Sequence, residues 1–200
     1  MITNEHLQKL GIDAKWLDPL NMAFEKYGID TPKRQASFIG QCQHESGNFK
    51  HLQENLNYSA SRLMQVFPKR FPTIEVANEA VAKGASGIAE AMYGMRKDLG
   101  NTEVGDGGKY FGRGIIQLTG RANYTAYSNA VGKPEILTNP ELLALPEDAI
   151  MSAGWFWKMR SLNAFADVGD YKEMTHKING GFLGLIERTA NINKALSIMV

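Results

Sequence analysis

Cysteine is nearly missing from this 200-residue chain: Cys42 stands alone, so no disulfide can form within it. That is the pattern of a chain folded in a reducing compartment. Histidine is also scarce, and the four residues are scattered, which argues against a histidine-rich metal site and for an absence of cofactors. Charge of one sign is lacking too. With 22 basic and 21 acidic side chains the formal charge is +1, so nothing resembles the basic footprint of a nucleic-acid or anionic-membrane binder. No run of about 18 apolar residues occurs, and the first ten residues lack a charged stretch followed by an apolar one, so no membrane anchor or secretory leader is expected. Internal repeats, low-complexity tracts and Pro/Ser-rich linkers are absent as well. The hydrophobic fraction of 44% is enough for a sizeable core. One domain spanning residues 1–200 is the expectation, with monomer as the default state.

Most of the chain reads at helical period. Thr31-Pro32 is a helix opening, because threonine can cap free amides and proline loses nothing at the first helical position; Gly47 closes that helix. Helices are also expected over Ser59–Phe67, Thr73–Lys83 and Ser86–Lys97, then over Arg121–Ala130, Pro146–Met159, Asp170–Ile178 and Gly184–Ile198. Between Gly100 and Gly120, seven glycines surround the short apolar run Ile115-Ile116-Gln117-Leu118. This segment reads as a loop with at most one short β-hairpin. The fold class expected is mainly α.

Phe38, Cys42 and Glu45 share one face of the helix that follows Thr31, so Glu45 extends an apolar stripe. Desolvation there disfavours the charged form, and the helix C-terminus pushes the same way, which suits a general acid. On the helix alone, a glutamate that swings outward or pairs with Arg113 or Arg121 is the commoner outcome. His44-Glu45 also opens a zinc-protease pattern, but that pattern needs a second histidine at position 48, where Asn stands. Glu54 lies nine residues beyond Glu45. Paired carboxyls ~6.5–9.5 Å apart serve an inverting glycosidase and ~5–5.5 Å a retaining one. A nine-residue link reaches ~30 Å and selects neither, and a solvated loop residue is the commoner reading of Glu54 taken singly. Trp155-Phe156-Trp157 suggests sugar stacking, yet consecutive helical residues point different ways and packing is the commoner role. Cys42 reads as a small packed residue, and Arg188 as a structural or solvated arginine that is also within reach of an acid.

Four blocks occur in register: Ala36-Ser-Phe-Ile-Gly-Gln-Cys-Gln-His-Glu-Ser-Gly47, Glu54-Asn-Leu-Asn-Tyr58, Tyr110-Phe-Gly-Arg-Gly-Ile-Ile-Gln-Leu-Thr-Gly120 and Ile178-Asn-Gly-Gly181. In this order they resemble glycoside hydrolase family 19, the chitinase-like family, in its bacteriophage endolysin branch, from about residue 31 to residue 190. The resemblance implies a lysozyme-like, two-lobed helical fold, with a large lobe at about 1–58 and 111–200 and a small helical lobe at about 59–110.

It also implies a β-1,4 glycosidase in which Glu45 protonates the glycosidic oxygen and Glu54 activates a water from the opposite face, with anomeric inversion. Thr119 falls where the family holds that water, and Asn179 where it binds the N-acetyl sugar or the water. Gln117, Tyr110 and Arg113 are expected to bind substrate by the same match, with packing, or for Arg113 a buried ion pair, as the alternative. The plant relatives carry a much longer segment between acid and base and usually disulfides, so the compact form here shifts the expected substrate from chitin toward the peptidoglycan glycan strand. The implied setting is the host bacterial cytoplasm, with action on the wall in the periplasm after a holin opens the inner membrane. A chitinase is the nearest alternative, and a non-catalytic wall-binding or virion structural protein is the alternative of another class.

Overall fold

A computed structural model describes residues 1–200. The chain forms two compact units. The first comprises residues 1–52, 114–117 and 142–200, and the second residues 53–113 and 118–141. In chain order the helices are α1 (Asn4–Leu10), α2 (Leu17–Tyr27), α3 (Pro32–Glu45), α4 (Ala60–Val66), α5 (Ile74–Ala82), α6 (Gly84–Tyr93) and the single turn α7 (Asp106–Lys109). They continue with α8 (Arg121–Val131), the short α9 (Glu135–Thr138), α10 (Pro146–Met159), α11 (Leu162–Val168), α12 (Tyr171–Asn179) and α13 (Leu185–Met199). The mainly α expectation holds.

The first unit is built around α3, whose residues 35–42 are all buried. Its start follows the sequence: the Thr31 hydroxyl accepts from Arg34 N–H at 3.2 Å, and Pro32 fills the first turn. Phe38 meets Phe24 and Trp157 edge-on, at centroid distances of 5.8 and 5.3 Å. Gly40 lets α13 approach, since a Cβ there would stand 2.5 Å from Ile192 Cγ1 and 2.7 Å from the Ile192 backbone nitrogen. Within the aromatic triplet, Trp157 is core while Trp155 and Phe156 are half-buried, as helical geometry requires.

The second unit closes on Leu56, Leu63, Phe71, Ala77, Ile88 and Phe111. Ser59 caps α4 and Thr73 caps α5 through their hydroxyls. Helix α6 spans Gly84–Tyr93 rather than Ser86–Lys97, because the Gly94 backbone is extended. The glycine-rich segment stays within the expected loop with at most a short hairpin: it holds α7 and two single antiparallel bridges, Gln53 with Arg113 and Arg113 with Leu118. Residues 118–141 group with this unit rather than with the larger lobe. The reason is local: Arg121 N–H donates to Asn101 Oδ1 at 2.8 Å, and its guanidinium pairs with buried Asp106 at 2.6 Å and with Glu103 at 2.8 Å.

Helices α1, α2 and α11 lie outside the segments expected to be helical. Helix α1 is a capping box built with His6, whose Nδ1 accepts from Thr3 N–H at 3.3 Å, where glutamate or glutamine is usual. The starts of α2 and α11 carry no side-chain cap.

Candidate active site

Glu45 is the last residue of α3 and belongs to the first unit. Beyond it the chain reverses abruptly through three consecutive residues in left-handed backbone, Gly47, Asn48 and Phe49. Such geometry is costly for a bulky side chain. It is held by Ser46, whose hydroxyl donates to Cys42 O at 2.6 Å and accepts from Phe49 N–H at 2.8 Å, and by Phe49 packing on Trp16 at 5.3 Å. Asn48 bridges Gln43 and the Gly11 carbonyl, a packing role for the residue standing where a zinc protease needs histidine.

The Glu45 carboxyl is 22% exposed and meets Arg188, which is itself buried, with Nη1 2.6 Å from Glu45 Oε1. Nη1 makes its hydrogen bond elsewhere, to Gln41 Oε1 at 2.7 Å, while Nε donates to Leu183 O at 3.1 Å. Glu45 Oε1 is thus ion-paired yet has no hydrogen bond. The wall beside it is apolar: Phe38, Phe156, Trp157, Ile116 and Ile178 line a small cavity there. Ile116 and Ile178 immediately precede Gln117 and Asn179, so this cavity draws both of those segments to the acid. Burial, and secondarily Glu45 itself, raise the Cys42 thiol well above its usual range, which leaves it unsuited to nucleophilic work.

Glu54 lies in the second unit and is half-buried. Its backbone N–H donates to Gly112 O at 2.9 Å, and its Oε2 accepts from Gly112 N–H at 3.4 Å. The strong contact is one the sequence did not reveal: Tyr93 O–H donates to Glu54 Oε1 at 2.7 Å. Burial and the neighbouring carboxylate both push the Tyr93 phenol upward, so it stays a donor. No motif marks Tyr93, which simply ends α6. The carboxylate is therefore fixed by two donors and keeps lone pairs for a water.

The other expected residues divide sharply. Asn179 is exposed at the end of α12, just before Gly180 in left-handed backbone. Thr119 is half-buried, and its carbonyl accepts from Asn123 Nδ2 at 2.8 Å. Gln117 adopts φ 54°, and its Nε2 donates to Gly114 O at 2.9 Å. A glutamine in left-handed backbone marks a turn over-determined by its surroundings.

Tyr110 and Arg113, by contrast, are buried. Tyr110 donates to Leu137 O at 3.0 Å and packs on Tyr124. Arg113 stacks over the Phe111 ring at 3.8 Å and donates to the carbonyls of Lys109 and Phe111 and to the Tyr124 hydroxyl oxygen. Of the roles expected of them, the structure shows packing for Tyr110 and a buried ion pair for Arg113, which also borders a cavity of the second unit. The acids expected beside Arg113 and Arg121 also change, because Glu45 pairs with Arg188, while Arg113 pairs with Glu141. No three His, Cys, Asp or Glu side chains gather as a metal site.

The mainly helical fold, with two isolated bridges as its only β-structure, is of the lysozyme-like type. The family model described as chitinase class I matches residues 89–182. A glycosyl hydrolase family 19 domain-containing protein of Haemophilus influenzae is 39% identical over 170 residues, covering 84% of this chain and 82% of that protein. The chain belongs to glycoside hydrolase family 19. An endochitinase of Arabidopsis thaliana is 29% identical over 80% of this chain, which spans only 44% of the plant protein. Among solved structures, a bacterial family 19 chitinase superposes with a TM-score of 0.62 at 19% identity, covering 97% of this chain and 92% of its own. Chitinase C from Streptomyces griseus gives 0.59 at 20% identity, covering 97% and 74%. At these identities the structural likeness speaks for the fold alone.

Proposed function

We propose that this chain is a phage-type endolysin that hydrolyses β-1,4 bonds of the peptidoglycan glycan strand with inversion. The observation that carries the reading is Glu54, held by the Tyr93 hydroxyl and the Gly112 amide nine residues beyond an ion-paired Glu45 that ends α3. In this reading Glu45 gives its proton to the leaving oxygen and Glu54 takes one from the attacking water. Thr119 helps to hold that water, Asn179 orients the N-acetyl sugar, and Gln117 contacts the strand. The short link between the carboxyls supports the wall substrate over chitin. The enzyme acts as a monomer, is made in the host cytoplasm and reaches the periplasmic wall once a holin opens the membrane. Chitin is the second reading, favoured by the names of the plant and Streptomyces relatives.

Reducing-end release from purified wall and from chitin, with wild type beside Glu45→Gln and Glu54→Gln, separates these readings. The expected result is wall cleavage by wild type alone, with each variant reduced by about two to four orders of magnitude. Preferential release from chitin would replace the substrate. Anhydro-sugar ends would replace hydrolysis by a lytic transglycosylase reaction, and undiminished clearing by Glu45→Gln would favour a different acid. Wall binding without cleavage by wild type would favour a non-catalytic module.

A further inference from the structure

We propose that the second unit carries a separate binding site for a carboxylate group, centred on Arg113. A cavity of about 510 Å³ lies in this unit, lined among others by Gln53, Ser86, Lys109, Arg113, Thr138 and Glu141. That is within the size range of small-molecule sites.

Arg113 is 2% exposed, and its two edges are treated differently. Nη1 is fully engaged, donating to Lys109 O at 2.8 Å, to the Tyr124 hydroxyl oxygen at 3.2 Å and to Phe111 O at 3.5 Å. Nη2 has a single long contact, to Glu141 Oε1 at 3.3 Å, and Nε has no hydrogen-bond partner. The Nε and Nη2 hydrogens point the same way and form the fork that matches the two oxygens of a carboxylate. A buried guanidinium edge with one donor empty is an unfilled recognition element.

Glu141 occupies that edge loosely, with one oxygen and a side chain 67% exposed, so a ligand carboxylate can displace it. Lys109 adds a second cation, against Glu141 as the one acid among the lining residues. The other polar groups named are neutral donors or acceptors.

The site is distinct from the catalytic carboxyl. Gln53 and Arg113 form an antiparallel bridge, so their side chains share one face, and Glu54, the next residue, faces the other way. The carboxylate can come from a peptide C-terminus or from an acidic sugar, and the two sources are separable.

The test is titration of the whole ¹⁵N-labelled chain with N-acetyl-D-alanyl-D-alanine and with glucuronate, each beside its amide, following the Arg113 Nε–Hε resonance. The expected result is a saturable shift with one acid and none with the amides, and the acid that binds more tightly names the source. Glu141→Ala, an exposed change, removes the competitor and should strengthen binding about threefold; Lys109→Ala should weaken it about threefold. No saturable shift with either acid in both wild type and Glu141→Ala, or equal shifts with acids and amides, overturns the proposal. Neither probe contains a glycosidic bond, so this outcome is independent of whether the chain cleaves peptidoglycan.

Discussion

Replacing Tyr93 by phenylalanine removes one hydroxyl and leaves the ring, which isolates the strongest contact to Glu54. In the native chain Oε1 receives the Tyr93 O–H at 2.7 Å, whereas Oε2 receives only the Gly112 N–H at 3.4 Å. A hydrogen bond to a charged group contributes about 1.5–3 kcal/mol net. Glu54 is half-buried, so water replaces part of the loss, and the low end applies. About 1.5 kcal/mol corresponds to about a tenfold fall in kcat. In the proposed mechanism the phenol positions the base rather than the sugar, so KM should change little. The assay is steady-state release of reducing ends, with thermal unfolding measured in parallel. A folded Tyr93→Phe protein whose kcat stays within twofold of wild type would falsify the claim that this hydroxyl positions a catalytic Glu54.

Arg188→Met breaks a buried ion pair and should cost about 3–5 kcal/mol, lowering the melting temperature by roughly 6–20 °C for a chain of this size. Combining it with Glu45→Gln should cost less than the sum of the two, because the stranded carboxylate is gone; strict additivity in thermal unfolding would show that the pair is not coupled. Gly40→Ala sets a Cβ against the Ile192 backbone and should destabilise by about 1–3 kcal/mol or more, measured by denaturant unfolding, and an unchanged midpoint would contradict the close approach of α3 and α13. Alkaline stability follows from the buried phenols. Burial pushes Tyr27 and Tyr124 up to about 12 from the usual 10, so the unfolded chain loses these protons first. The associated stability is fully present below pH 10 and is lost between pH 10 and 12, with about 3 kcal/mol from Tyr124 alone. Urea unfolding midpoints that stay constant from pH 9 to pH 12 would refute this assignment.

The sequence by itself determined the helical character, because capping and periodicity act within a few residues. Thr31-Pro32 sets the start of α3, and Ser59 and Thr73 set α4 and α5, through local hydrogen bonds that need no distant partner. It also determined which carboxyls carry the family pattern, through four blocks whose order survives in one dimension. The ends of α6 and the starts of α2 and α11 were not legible, since no cap signal marks them. Only tertiary structure decided what stands beside each carboxyl. Arg188 lies far along the chain from Glu45, and Tyr93 lies 39 residues from Glu54, so no spacing rule connects either pair. Burial likewise sent Tyr110 and Arg113 into the interior, although their motif placed them with residues that remain open. A motif records which side chains a site needs. Whether a given side chain meets solvent, a partner or the core depends on packing between segments remote in sequence, and that packing exists only once the chain has folded.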